Sequence, residues 1–89
     1  MTTKERHRIA YEKSIAETRC VKVHAGSYYY KGFHIYDVYN GYYPWNWQEV
    51  CDTSCVPART KKECILNIDS YIEMHNCDIK LNKNSWFYN

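Results

Sequence analysis

Ten of the chain's 15 aromatic residues fall between Tyr28 and Trp47. A block this rich in rings favours sheet over helix, because Tyr, Trp and Phe fit a pleated, half-buried surface. Leu occurs only at Leu66 and Leu81, so no Leu-rich helical core is available to compete. A core alone does not need so many phenols, since each buried hydroxyl requires a hydrogen-bond partner. Tyr and Trp also supply large contact area at low rotamer cost in interfaces. The block therefore reads both as sheet and as a candidate binding surface.

Tyr28 to Tyr39 reads as extended chain with Gly32 as a bulge or tight bend. Asn40-Gly41 reads as a two-residue type I′ turn, because both central positions of that turn need positive φ. The return strand runs from Tyr42 to Val50, and Pro44 places it near an edge or a bulge. This register pairs Tyr39 with Tyr42, Tyr36 with Trp45 and His34 with Trp47. One face then carries His34, Tyr36, Val38, Tyr43, Trp45 and Trp47. The other carries Phe33, Ile35, Asp37, Tyr39, Tyr42, Asn46, Gln48 and Val50. Side-chain type favours burying Phe33, Ile35 and Val50 and exposing the Tyr/Trp face. A one-residue change in turn length would regroup both sets.

Thr2-Thr3-Lys4-Glu5 is a capping box that opens a helix over residues 3–19. Its apolar positions, Ile9, Ala10, Ile15 and Ala16, make only a weak stripe, so this helix is expected at the domain edge or projecting from it. Cys20 to His24 alternates as a strand and stops at Ala25-Gly26-Ser27. Residues 51–59 form a loop with room for a short strand. Thr60-Lys61-Lys62-Glu63 opens a second helix over 61–75, with Cys64, Ile65, Ile68, Tyr71, Ile72 and His75 on one face. The tail, 76–89, reads as a loop with one short strand at most. Eighty-nine residues make one small domain. The expected fold is α+β: an N-terminal helix, an antiparallel sheet of three or four strands within 20–50, and the 61–75 helix packed on one face through Ile65, Ile68 and Ile72.

The net charge of +2 is unevenly spread. Residues 1–31 carry +4, residues 32–58 carry −3 with no Lys or Arg, and residues 59–89 carry +1. Nucleic-acid binders interleave aromatics with cations, because phosphate neutralisation supplies most of their affinity. An acid-only aromatic block points instead to a basic protein surface. Asp37 and Glu49, with Asp52, would rim a patch made of His34, Tyr36, Tyr43, Trp45 and Trp47. The alternative places nucleic acid on the first helix, through Lys4, Arg6, Arg8, Lys13 and Arg19.

Five Cys and four His raise the question of metal. Cys51-x3-Cys55 with His75-x-Cys77 supplies four donors, but the spacing matches no standard zinc knuckle. The thiols read as free, and no metal or other cofactor is expected. Five is odd and no apolar leader precedes the first helix, so a disulfide framework is not expected either. No Gly-rich phosphate loop or activated-nucleophile motif is present in the sequence, so the chain reads as non-enzymatic. No apolar run approaches the roughly 18 residues of a membrane span, and a soluble, cytoplasmic protein is expected.

Lys31 to Val38 resembles part of the first ribonucleoprotein motif of RNA-recognition domains. That fold needs a helix between residues 24 and 33, and none is encoded there. Tyr30-Lys31-Gly32-Phe33-x-Ile35, a hairpin, and then Thr60-Lys61-Lys62-Glu63-Cys64-x3-Ile68-Asp69 resembles a pattern of small phage and prophage accessory proteins, anti-CRISPR-type host-defence inhibitors among them. The resemblance covers roughly residues 30–72 and transfers no functional residue. It implies a sheet-plus-helix fold and an inhibitor that blocks a host nucleoprotein or nuclease from within the host cytoplasm. A Lys, Asn, Ile and Tyr bias, of the kind an AT-rich coding sequence produces, fits a phage or mobile-element gene.

Overall fold

Thr2 opens the first helix, α1 (Thr3–Ala16), by accepting a hydrogen bond from the Glu5 amide at 3.2 Å. The computed structural model describes every residue except Asn40 and Cys51. The expected span of 3–19 is too long. Glu17 caps the helix and Thr18 turns left-handed (φ 47°), reversing the chain into the sheet. The Arg19 guanidinium bridges back to Glu17 at 2.6 Å across this reversal.

Five strands follow in an antiparallel meander: β1 (Cys20–His24), β2 (Ser27–Tyr30), β3 (Phe33–Asp37), β4 (Trp45–Glu49) and β5 (Val56–Ala58). The segment read as one extended run from Tyr28 to Tyr39 is therefore two strands. Lys31 (φ 50°) and Gly32 (φ 85°) form a two-residue turn between them, with positive φ at both centres as type I′ requires. Gly32 is needed for space as well. A Cβ there would lie 3.2 Å from the Ile15 side chain, and the Gly32 amide donates to Ser14 Oγ at 3.1 Å.

The connection from β3 to β4 is longer than expected. Asp37 pairs with Trp45, so residues 38–44 form the loop, and the Asn40-Gly41 turn falls partly outside the described residues. Tyr36 pairs with Asn46 and His34 with Gln48, a slip of one residue from the expected register. Side chains alternate with a period of two, so that slip carries every β4 residue to the opposite face. Pro57 lies in β5, an edge strand, where a missing N–H is tolerated.

The second helix, α2 (Lys61–His75), matches the expected span. Thr60 accepts from the Glu63 amide at 3.0 Å, and Asn76 closes the helix left-handed (φ 49°). Its contact residues, Cys64 and Ile68, join Phe33, Ile35, Trp47 and Ala58 in one core, with Ile65, Tyr71 and Ile72 packed beside them.

A second core occupies the other side of the sheet. Ala10 and Tyr11 of α1 meet Val21, Tyr29 and Phe87 there, and Val50 packs against this cluster. The buried stripe of α1 is His7, Ala10, Tyr11 and Ser14, whose 3-1-3 spacing is helical even though two members are polar. The helix therefore lies on the sheet and does not project. Phe87 comes from a short 3-10 helix, Trp86–Tyr88, in the tail where a loop with one short strand at most is expected. The tail is fastened to α1 by the Tyr88 hydroxyl on Glu12 (2.7 Å), Lys4 Nζ on the Asn89 carbonyl (2.7 Å) and the Asn82 amide on the Tyr11 hydroxyl (2.8 Å). The result is a three-layer domain with one sheet between two helices.

Candidate interaction surfaces

The expected aromatic platform is divided by the sheet. His34 and Tyr36 face the α1 side, while Trp45 and Trp47 face the α2 side. Trp47 is core, only 5% exposed, and its indole N–H has no acceptor among the described residues. Trp45 is half-buried beside the same cluster, its ring 6.1 Å from that of Tyr28. Glu49 does not rim a patch on the other side. It accepts from the Tyr71 hydroxyl, and that bond pushes the phenol up to about 12. Asp37 Oδ1 accepts from the Tyr39 amide at 2.7 Å, and Tyr43 lies in the 38–44 loop.

On the α1 side, His34 sits in a histidine cluster that the sequence did not reveal. Its ring stacks on Tyr29 at 4.6 Å and its Nε2 is hydrogen-bonded to Ser27 Oγ at 2.9 Å. His7 lies 5.8 Å from His34 and 5.9 Å from His24, with its Nδ1 hydrogen-bonded to the Tyr29 hydroxyl at 2.8 Å. Burial is the main reason that His34 is lowered to about 4, with His7 and His24 adding repulsion. His7 is lowered as well, chiefly by burial and then by His24. The strip continues through Tyr36, whose hydroxyl donates to Gln48 Oε1 at 2.7 Å, and Gln48 Nε2 donates to the Asp52 carbonyl at 2.8 Å.

Among the described residues no three His, Cys, Asp or Glu side chains are grouped to hold a metal ion. Cys51 of the four-donor set lies outside the described residues. Cys55 accepts weakly from Asn46 Nδ2 at 3.4 Å, and His75 packs its ring on Tyr71 at 4.4 Å. A cleft of about 350 Å³ runs between the β2–β3 turn and the tail, bordered by Lys31, Phe33, Glu49, Cys77 and Leu81.

The cations of α1 do not form one stripe. Lys4 is held by Asn89, and Arg19, beyond the end of α1, is held by Glu17. Arg6 and Lys13 instead border a small groove with Lys22 along β1, and Arg8 lies near enough to Tyr88 to act on its hydroxyl.

The loop over 38–44 displays the most exposed rings of the chain. Tyr39 is 84% exposed and Tyr42 is 66% exposed, and Val38 and Tyr43 lie beside them. Tyr39 is left-handed (φ 57°), and the loop is closed by the Val38 amide on the Pro44 carbonyl at 2.8 Å.

The acid-only character of this block is a property of sequence and not of space. The Arg59 guanidinium lies 5.2 Å from the Tyr42 ring centre and 5.8 Å from that of Tyr43. Lys61 Nζ lies 4.2 Å over Tyr28, and Lys31 Nζ 5.2 Å over Tyr30. Arg59, at the edge of residues 32–58, thus folds back onto rings of that segment, while Lys61 and Lys31 cover the adjoining Tyr28 and Tyr30. Cross-strand pairing adds a further cation beside Tyr28, since Lys22 of β1 stands opposite it.

No helix among the described residues is long and apolar enough to cross a membrane. Comparison with protein families, characterised proteins and solved structures finds no match to this chain.

Proposed function

We propose that the protein is a non-enzymatic binding module that docks a basic protein surface through the 38–44 loop, in the manner of a phage-type inhibitor of a host nucleoprotein or nuclease. The supporting observation is Tyr39. A left-handed non-glycine residue costs roughly 1–2 kcal/mol, yet this side chain remains 84% exposed and gains little packing in return. Strain held at an exposed aromatic in a loop closed at its base suits a preformed contact. Arg59 on Tyr42 and Tyr43 illustrates what these rings attract, because a ring face favours guanidinium and ammonium groups. Asp37 at the loop base adds negative charge for steering. The composition bias and the phage-like pattern support a host-directed role in the cytoplasm of an infected cell.

The test is capture of partners from host cells by the tagged protein and by its Tyr39→Ala and Tyr42→Ala variants, followed by calorimetry on the protein recovered. Each substitution should leave melting unchanged and weaken binding by about 2 kcal/mol. A partner bound with full affinity by the double variant refutes the loop as the docking site. A second reading, nucleic-acid binding, is supported by the cation–ring pairs more than by the basic residues 4–19, where Lys4 and Arg19 already have protein partners.

A further inference from the structure

The two helices cover different parts of the sheet. α1 packs on β1 and β2 from one side, and α2 packs on β3, β4 and β5 from the other. On the α2-side face of β1 and β2, Tyr28 and Tyr30 flank the α2 core, with Lys61 over Tyr28 and Asp69 bonded to the Tyr30 hydroxyl. Cys20 and Lys22 of β1 stand there opposite Tyr30 and Tyr28 of β2. Both tyrosines are half-buried, and Trp45 continues the row of rings beside Tyr28.

We propose that this strip binds single-stranded nucleic acid, a ligand beyond the protein-docking role of the 38–44 loop. Aromatic rings on an open sheet face take bases by stacking, and neighbouring cations take the phosphates. Tyr28 and Tyr30 are two residues apart on one strand, about 6.8 Å along it. That is twice the 3.4 Å rise per nucleotide of a stacked strand, so each ring meets a separate base of a splayed strand. Lys61 covers Tyr28 at 4.2 Å, and Lys22 stands across the ladder from the same ring. A base sliding onto Tyr28 displaces the Lys61 ammonium toward the adjoining phosphate, so the cation keeps an anionic partner throughout. Lys31 reaches over Tyr30 but also bonds Asp69 at 2.8 Å, and Asp69 accepts from the Tyr30 hydroxyl at 2.8 Å. This carboxylate offsets Lys31 and leaves Lys22 and Lys61 as the phosphate contacts. A duplex keeps its bases stacked inside and offers no face to these rings, which makes the strip selective for unpaired strands.

The experiment is fluorescence anisotropy of a labelled oligothymidylate with the purified protein alone at low salt, beside a duplex of equal length. The single strand is expected to bind more tightly than the duplex. Tyr28→Leu should weaken that binding about tenfold or more. Lys22→Gln and Lys61→Gln should each lower the slope of log K against log salt by about one. Lys22 is exposed and Lys61 half-buried, and neither belongs to a buried core, so their double variant tests the site even if Tyr28→Leu proves unstable. Absence of single-strand binding overturns the proposal, and so does equal affinity for the duplex. A loss that follows Arg6→Gln and Lys13→Gln while Lys22→Gln with Lys61→Gln changes nothing also overturns it, placing the contact on α1. No protein partner enters the assay, so its failure leaves the loop reading standing.

Discussion

Acidification should loosen the α1 side of the sheet, and His34 sets the size of the effect. Its imidazole is lowered from 6.5 to about 4, mainly by burial and then by His7 and His24. Between those two pH values the unfolded chain binds a proton that the native ring refuses. Stability contributed by the neutral ring is therefore complete above pH 6.5 and is lost as pH falls toward 4. At 1.36 kcal/mol per pH unit, the gap is worth about 3 kcal/mol. Solvent reaching a half-buried ring reduces this to about 2 kcal/mol. The charged or titratable groups around it are His7 of α1, His24 of β1 and the Tyr29 and Tyr36 phenols. No carboxylate forms a hydrogen bond or ion pair with His34 among the described residues, so none offsets a new positive charge. A domain of this size is stable by roughly 4–13 kcal/mol in total, so the loss is measurable. Urea unfolding at pH 7.5 and at pH 4.5 gives it directly. His34→Gln can still hydrogen-bond Ser27 and cannot titrate, so its stability should fall about 2 kcal/mol less over the same interval. An equal fall in both proteins would refute the role given to His34.

Trp47→Ala and Ile68→Ala each empty part of the α2-side core, and both should destabilise the fold, by about 3–5 and 2–4 kcal/mol respectively; chemical denaturation checks both, and unchanged melting of the Trp47 variant would restore that ring to the surface. Gly32→Ala should cost about 1–2 kcal/mol for its left-handed backbone, with a further loss from the 3.2 Å approach to Ile15. The same denaturation series tests it, with Gly41→Ala as a control that meets nothing within 4 Å.

The parts of this fold that could be read in advance are those fixed by local chemistry. Helix α2 combines a capping residue at Thr60 with a regular apolar face, and its ends fell where both signals placed them. β4 shows the opposite case. Its composition says strand, but the side that Trp47 occupies depends on the length of the 38–44 loop, and a Tyr-rich loop looks locally like more strand. Lys31-Gly32 closes a tight hairpin where only a bulge or tight bend within one extended run is expected, whereas the turn expected at Asn40-Gly41 falls within residues 38–44 and partly outside the described residues. The inward stripe of α1 is hidden in the sequence because His7 and Ser14 are polar by type, and their burial is satisfied by bonds to Tyr29, to the Tyr11 carbonyl and from the Gly32 amide. The candidate site suffered most, because one residue of register separates a continuous platform from two half-faces. The pairing of Lys61 with Tyr28 spans 33 positions and leaves no trace in local pattern.

With a core on each side, the sheet is a partition whose two surfaces can be remodelled almost independently. Tyr29 and His34 belong to the α1 compartment, whereas Tyr28 and Ile35, their immediate neighbours in the chain, face the α2 side. Backbone hydrogen bonds of β2 and β3 serve both compartments at once, while their side chains alternate between the two. Drift in one packing layer can therefore accumulate without a matching change in the other, provided the ladder between them keeps its register. Such a domain can acquire a new recognition surface on one side while the opposite side continues to hold the chain folded.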